Sequence, residues 1–294
     1  MIMHKRLSRW LGWMGLLAFL TTSPARGQAE EEEIPWSMNE GTMVGVGGYN
    51  LKDTYLTPGT GRKYTGPGVR ILDERMKMTH LANYRISRQQ IVSIDGAKTE
   101  NAAGSATEFA GFVDYTLAYH YHLPSVYPGL KLLAGGAIHG MGGVIYNTRN
   151  GNNPASGKGD IDLNISLMGI YQWRIKDYPL TLRYQFTMPF LGMMFSPHYG
   201  QSYYEIFDLG NASGVVKFNS FHNKIALKNF ITVDFPLGKF TIRAGFLHSF
   251  YRTDVNDIDC HIISRSFLIG FVKEFISFGG KRSRDTQKIR SSYY

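Results

Sequence analysis

A strict alternation of apolar and polar residues runs through this sequence from Phe109 onward, in segments of about twelve residues or more. Between positions 180 and 188, apolar or aromatic residues occupy the even positions, while Thr, Arg and Gln occupy the odd ones. Successive side chains of a β-strand point to opposite faces, so this period predicts strands with one apolar and one polar face. Soluble strands usually have about 5–6 residues, whereas a tilted strand needs roughly 9–11 residues to cross the hydrocarbon layer of a membrane. The length of the runs therefore favours strands that span a membrane.

Alternation alone fits both a soluble β-sandwich with an apolar core and a membrane barrel with an apolar outer face. Three features favour the barrel: a predicted export signal, the strand lengths, and aromatic residues near the strand ends. Those aromatic residues are Tyr119, Tyr121, Tyr171 and Trp173. We therefore predict that Leu182, Tyr184 and Phe186 face lipid and that Arg183 and Gln185 face the lumen.

The predicted fold class is all-β, a single antiparallel transmembrane β-barrel of about ten strands, within a range of about 8–12. The predicted strands cover residues 42–52, 66–78, 84–94, 106–123, 131–147, 160–176, 180–195, 216–235, 239–252 and 261–278. The first three patterns are weaker, because charged residues interrupt them. These residues are Arg70, Asp73, Glu74, Arg75, Lys77, Arg85 and Arg88.

The connections between the predicted strands also favour an outer-membrane barrel. Short connections at 123–129, 176–179 and 236–238 alternate with long ones at 148–159 and 196–214. Residues 253–259 form a connection of intermediate length. Outer-membrane barrels have short periplasmic turns and longer external loops. An even number of strands would place both chain ends in the periplasm.

The N-terminus has the three parts of a secretory signal peptide. Basic residues between positions 4 and 9 precede an apolar stretch over 11–20, and small residues follow near position 27. A run of four glutamates comes next. The predicted domains are a signal peptide over 1–27, an acidic periplasmic segment over 28–40, the barrel over 41–278 and a basic C-terminal tail over 279–294.

Charge and cysteine content exclude several classes of protein. The formal net charge is +9, and removing the four bases of the leader leaves +5, of which much lies in the basic tail. The body is nearly neutral, so we expect no nucleic-acid partner. Cys260 is the only cysteine, which excludes an intramolecular disulfide. We expect outer-membrane lipid and the barrel-assembly machinery as partners, no cofactor, and an external ligand that the sequence does not identify.

Polar side chains on the inward faces are predicted to fill the lumen. The predicted lumen residues are Asp114, His120, His122, Asp162, Arg183, Gln185, Lys224, Lys228 and Arg243. The bases among them are expected to pair with carboxylates across the interior, namely Asp114, Asp162, Asp234 and Glu108. Because about eight strands already enclose an interior that side chains fill, a barrel of about ten strands leaves room for a narrow path at most.

Two groups of residues have both a chemical and a structural explanation. His120 and His122 share a strand face with Asp114, and His139 lies on the facing strand, which is a set of donors that could bind a metal. A hydrogen-bonded polar lumen explains the same residues, and we predict no metal.

The long loop after position 195 contains His198, Ser202 and Glu205, which are the residue types of a nucleophilic hydrolase. The spacing is not that of a strand-borne His–Ser pair, and solvation of the loop explains these residues. We predict no catalytic residue.

One stretch resembles a known family. The segment Asn50-Leu-Lys-Asp-Thr-Tyr-Leu-Thr-Pro58, followed by Tyr64-Thr-Gly66 and by Arg70 with Glu74-Arg75, is similar to the opening of an uncharacterised family of Gram-negative outer-membrane barrel proteins. The tyrosine-rich strands downstream extend the likeness over most of the mature chain. The resemblance implies location and architecture, and it assigns no reaction and no ligand.

The sequence therefore predicts a non-enzymatic integral outer-membrane protein with a role in narrow transport or in envelope or accessory binding. The alternatives are a membrane-embedded lipid hydrolase or protease, and a secreted soluble β-sandwich.

Overall fold

The alternating segments form a closed antiparallel β-barrel. A computed structural model of the chain describes residues 36–59, 63–176, 178–237, 240–276 and 290–294. The strands are β1 (Trp36–Asp53), β2 (Tyr64–Met78), β3 (Ile86–Asn101), β4 (Thr107–His122), β5 (Leu130–Asn147), β6 (Ala155–Ile175), β7 (Tyr178–Phe195), β8 (Val216–Ser220), β9 (Lys224–Leu237), β10 (Phe240–Val255), β11 (Ile258–Ile276) and β12 (Arg290–Ser291), with one helix, α1 (Tyr203–Phe207).

Ten long strands make the barrel wall in the described part of the chain. Each pairs with the next one along the wall in the order β1 to β7, then β9, β10 and β11, and β11 closes the ring by pairing with β1 over their full length. Closure pairs every strand on both sides, which is required where no water can satisfy an open sheet edge. No α-helix in the described residues is long and apolar enough to cross a membrane.

The two faces of the wall differ as the alternation predicts. Tyr184 is 45% exposed, whereas Arg183 and Gln185 on either side of it are buried. The outward residues exposing more than half of their surface include Val46, Ile71, Val113, Ile161 and Phe267. Apolar side chains outside and ionic ones inside are the reverse of a soluble sandwich, and they are the arrangement of a membrane barrel. The soluble alternative is therefore wrong.

Aromatic residues mark the end of the wall where β1 begins and β11 ends. Tyr171 and Trp173 stack with ring centroids 5.9 Å apart, and Tyr119 is exposed on the outer face at the same end of β4. Amphipathic rings of this kind sit at the boundary between lipid and water.

The strand predicted over 216–235 is in fact two strands. β8 pairs with the far end of β7, and β9 pairs with the near part of β7 over Thr181–Thr187, so β7 exchanges partners along its length. Asn223 makes the break: its side chain accepts from the Ser220 amide at 3.0 Å and donates to the Phe218 carbonyl at 2.9 Å. An asparagine can close a turn with its own side chain in this way.

Two connections also differ from expectation. The segment 253–259 is a two-residue turn, since β10 continues to Val255 and β11 begins at Ile258. Asn256 and Asp257 both have left-handed backbone angles, with φ of 55° and 64°, a conformation that Asn and Asp tolerate in tight hairpins. The long connection after β7 contains α1, where a loop was expected.

The wall also begins earlier than predicted. β1 starts at Trp36 and not at 41, because buried Ser37 and Asn39 continue the inward alternation and pair with the end of β11. The predicted signal peptide over 1–27 and most of the tail over 279–294 lie outside the described residues.

Candidate functional site

A charge network crosses the lumen near the end of the barrel where β1 begins and β11 ends. Glu74 on β2 accepts from Arg183 on β7, and its other oxygen accepts from Arg243 Nη1 on β10 at 2.8 Å. Arg243 also makes a two-bonded pair with Asp234 on β9, at 2.7 Å for each contact. We call these four residues the floor cluster. All four are completely buried, so the network joins opposite sides of the wall and occupies the lumen there.

A second network, the central cluster, lies nearer the other end. Its members are Asp114, His139, Asp160, Asp162, Lys224 and Lys228. The Lys224 ammonium lies 2.9 Å from Asp160 and 2.6 Å from Asp162. Lys228 donates to Asp114 at 2.7 Å, and His139 Nε2 lies 2.8 Å from the same carboxylate oxygen.

The central cluster borders a small cavity. The cavity has a volume of about 50 Å³, and its lining includes Arg70, Asp114 and Lys228. One water needs roughly 10–15 Å³ of such volume, so there is space for roughly three to five waters among polar groups that can hold them.

The remaining predicted lumen residues have separate partners. His120 Nε2 lies 2.9 Å from Ser166, and His122 Nε2 lies 3.0 Å from Ser87. Gln185 donates to Gln89 on β3 at 2.8 Å. Their role in function is still a prediction.

The structure brings together only some of the candidate metal donors, namely His139 and Asp114. His120 and His122 are not among the partners of His139, which instead lies close to Asp160 and Asp162. That group could hold an ion by geometry, but the ammonium of Lys224 already bridges the two carboxylates. The residues present therefore fit an ion-pair network better than a metal centre.

Two carboxylates differ from expectation. Glu108 was expected to pair with a base, yet its described hydrogen bond is with Asn147, at 3.0 Å. In the sequence, Glu74 is one of the charges that interrupt a weak strand pattern. In the structure it is the centre of the floor cluster. Its position two residues from Leu72 and Met76 on the buried face of β2 was the available signal.

The candidate hydrolase residues are held by the loop itself. Ser202 is the N-cap of α1: its hydroxyl accepts from the Glu205 amide at 3.2 Å, and the Glu205 carboxylate accepts from the Ser202 amide at 2.8 Å. This capping box stabilises a helix start. His198 bonds to the backbone carbonyl of Ser213 at 3.2 Å, so the described contacts of this loop do not pair the serine with the histidine.

The loops at the other end of the barrel, where β1 ends, are tied together around a pocket of about 430 Å³. The Tyr55 hydroxyl donates to the Gln201 carbonyl at 2.7 Å, and the Asn150 amide donates to the Leu56 carbonyl at 2.9 Å. Other lining residues are Tyr64, Asn147, Arg149 and Tyr199. Aromatic rings, amides and one guanidinium give the pocket a polar, mainly uncharged lining.

Two phenols beside this pocket are neutral over the physiological range. Burial, with nearby Tyr203 and Asp53, raises the pKa of Tyr55 to about 12. Burial also raises the pKa of Tyr203, whose hydroxyl accepts from the Gly157 amide at 2.5 Å.

The sequence matches a known family model. A family model described as "Protein of unknown function (DUF3316)" matches residues 14–282. No curated protein matches the sequence significantly.

Three solved structures are similar to the barrel. The outer membrane protease OmpT from Escherichia coli has a TM-score of 0.50 and 12% identity, with 82% of this chain and 97% of that chain covered. The transport unit of the autotransporter AIDA-I from Escherichia coli has a TM-score of 0.46 and 11% identity, with 85% of this chain and 93% of that chain covered. An outer membrane channel from Pseudomonas putida F1 has a TM-score of 0.33 and 9% identity, with 84% of this chain and 100% of that chain covered. At such identities the likeness concerns the fold alone, and it rests on the first of these structures, because the TM-scores of the other two are below 0.5. Together with the apolar outer face, the fold places this chain in an outer membrane, in contact with its lipid.

Proposed function

This chain belongs to the DUF3316 family of proteins of unknown function, and we propose that it is a non-enzymatic outer-membrane barrel whose lumen is filled and whose external loops bind a ligand. The observation that carries the proposal is the position of Glu74, fully buried between Arg183 and Arg243 from the far side of the wall. A conduit for solutes would need this space.

The loop pocket supports the binding half of the proposal. It lies at the end of the barrel where β1 ends, which is the external end if β1 starts on the periplasmic side. Its lining offers rings and amides for a polar ligand, and Arg149 favours one that is uncharged or anionic. We expect the barrel-assembly machinery to insert the protein after export through a signal peptide over 1–27.

Single-channel recording in planar bilayers tests the filled lumen. The unmodified protein should give no steady conductance steps above the lipid background, because ion pairs span the interior. Long-lived steps in most insertions would overturn the proposal and favour the narrow-transport function.

Narrow transport is a second candidate, supported by the cavity of about 50 Å³ beside the central cluster. A transport path through it would have to pass Asp114 and Lys228. In that case, Lys228→Met should change the ion selectivity of any conductance, whereas the outward Lys273→Met should not.

The enzymatic alternative predicts hydrolysis of lipids or peptides. We expect none above background from the purified protein. Activity in the unmodified chain that is lost in His198→Ala would contradict the non-enzymatic proposal.

A further inference from the structure

The backbone pairing along one side of β7 is interrupted part of the way along the strand. Toward the end where β1 ends, β7 pairs with β8, and the last pair there is Leu191 with Ser220. Toward the other end it pairs with β9, and the first pair is Thr187 with Lys228. Between these points the described pairs do not join residues 188–190 of β7 to residues 225–227 of β9. We call this interval the side gap.

The sequence of β7 explains why the pairing fails here. Pro189 has no N–H to donate to a neighbouring strand. Phe190 is an extra residue on β7, because Asn164 of β6 pairs with Pro189 whereas Leu163 pairs with Leu191. A bulge of this kind bends the strand and disrupts its ladder locally. Unpaired backbone at membrane depth is tolerated where it lines a cavity.

The cavity of about 50 Å³ beside the central cluster lies at the side gap. Its lining includes Pro189 from β7 and Ala226 from β9. The lining also includes Leu227 and Phe250, which pair with each other across β9 and β10. Leu227 alternates with inward residues and lies two positions from exposed Ile225, so this pair belongs to the outer face. The cavity therefore reaches from the lumen into the wall, toward the lipid.

The lumen is filled on both sides of this cavity. Toward the loops, Leu51, Ile145 and Ile258 belong to a hydrophobic cluster that is almost completely buried. Toward the other end, the floor cluster crosses the interior. Among the described side chains, the side gap is thus the shortest way between the cavity and the outside of the barrel.

Two cations of the lining have donors that can serve a ligand. An ammonium has three donors, and the contacts of Lys228 with Asp114 at 2.7 Å and with His139 Nε2 at 3.1 Å use two of them at most. Arg70 Nη1 is buried and has no hydrogen-bond partner among the described residues. The Lys228 side chain is 33% exposed, against 5% for Arg70. A ligand would therefore meet Lys228 first, and donors of positive charge favour an anionic acceptor.

We propose that the cavity and the side gap form a binding site for an alkyl carboxylate that enters from the membrane. The carboxylate lies in the cavity beside Lys228 and Arg70 Nη1, and the alkyl chain leaves between Pro189 and Leu227 into the lipid. A carboxylate has three heavy atoms, which suits a cavity with space for roughly three to five waters.

The outer rim of the side gap suits the alkyl chain. Exposed apolar residues surround it, namely Phe190, Met193, Phe218 and Ile225. A ligand that enters and leaves sideways needs no path along the lumen, so the site is compatible with a filled interior. It is also separate from the loop pocket and from the external ligand proposed there.

Photo-crosslinking locates the site. The full-length protein in phospholipid nanodiscs is illuminated with a dodecanoate probe that carries a diazirine in the middle of its chain, and labelled peptides are identified by mass spectrometry. We expect label on residues 186–193 and 218–228, and we expect an excess of plain dodecanoate to remove it. Label spread evenly around the wall, or label that the competitor does not remove, would overturn the proposal.

The head group and the gap are tested separately. Lys228→Met should weaken competition by dodecanoate about tenfold or more, because it removes a charge-assisted bond. Lys273→Met, which removes an exposed ammonium on β11, should not weaken it. Dodecanol should compete poorly with the probe in the unmodified protein. Equal competition by dodecanol and dodecanoate, or an unchanged affinity in Lys228→Met, would contradict the proposal.

Ala226→Phe should abolish the labelling, since the larger side chain fills the cavity at the side gap. The matched control is Ala244→Phe, beside exposed Ile269 on the outer face, which should leave the labelling unchanged. Full labelling of a folded Ala226→Phe variant would contradict the assigned position. If that variant does not fold, the comparison of dodecanoate with dodecanol in the unmodified chain decides.

Discussion

The two charge clusters of the lumen are built differently. The floor cluster has two arginines and two carboxylates, joins non-neighbouring strands, and exposes no surface. The central cluster has three carboxylates, two lysines and a histidine, and it lies beside the cavity. The side chain of Lys228 remains 33% exposed there.

This difference indicates where the barrel is rigid and where it tolerates change. A charge that loses a partner in a fully buried site has no water to replace that partner. Beside a cavity, a charge can recruit water. We therefore expect substitutions in the floor cluster to cost more folding free energy than matched substitutions at Lys228.

The largest effect should come from Glu74→Gln. The change removes the carboxylate shared by Arg183 and Arg243 and leaves buried positive charge, which costs about 3–5 kcal/mol. The temperature at which the folded band disappears in semi-native gel electrophoresis should fall sharply. Asp73→Asn, on the opposite face of the same strand, is the matched control and should leave that temperature nearly unchanged.

Lys224→Met should have the next largest effect. It leaves Asp160 and Asp162 buried together without their shared ammonium, although one of them can take up a proton and so limit the loss. We expect a cost of about 3 kcal/mol, measured as a lower denaturant midpoint. A midpoint that does not move would mean that the two carboxylates are not paired through Lys224.

Lys228→Met should have the smallest effect of the three, at about 1 kcal/mol or less. The side chain is partly exposed to the cavity, and Asp114 keeps its contact with His139. The measurement is the same denaturant midpoint. If Lys228→Met costs as much folding free energy as Glu74→Gln, the distinction between a dry and a wet part of the lumen is wrong.

Much of the wall could be predicted from the sequence, because the alternation of a membrane strand is local. The strands after Phe109 were found within a few residues, and closure into a barrel was confirmed. The exchange of β7 partners was missed, although the outward apolar residues change from even positions at Val216 and Phe218 to odd positions from Ile225 onward. The Asn223 side chain makes the break between the two strands.

The site was less predictable, because pairing across a lumen depends on distances that no local pattern contains. The alternation places Lys224, Lys228, Asp114 and Asp162 on inward faces, but it does not say which lysine meets which carboxylate. The role of Glu74 could not be predicted either, and neither could the burial of Tyr293 against the guanidinium groups of Arg183 and Arg243. Glu74 stood out only as a charge in a weak strand, and Tyr293 lies beyond the last alternating segment.

The assignment of faces is tested most directly by nitroxide labels on β9 in liposomes, at Ile231→Cys on the outer face and Lys228→Cys on the inner face. Native Cys260 is buried and should not react. The label at 231 should collide far more with oxygen, which concentrates in lipid, than with a water-soluble nickel chelate, and the label at 228 should show no such excess. An excess of oxygen collisions at 228 together with nickel access at 231 would contradict the inward position of the ionic side chains.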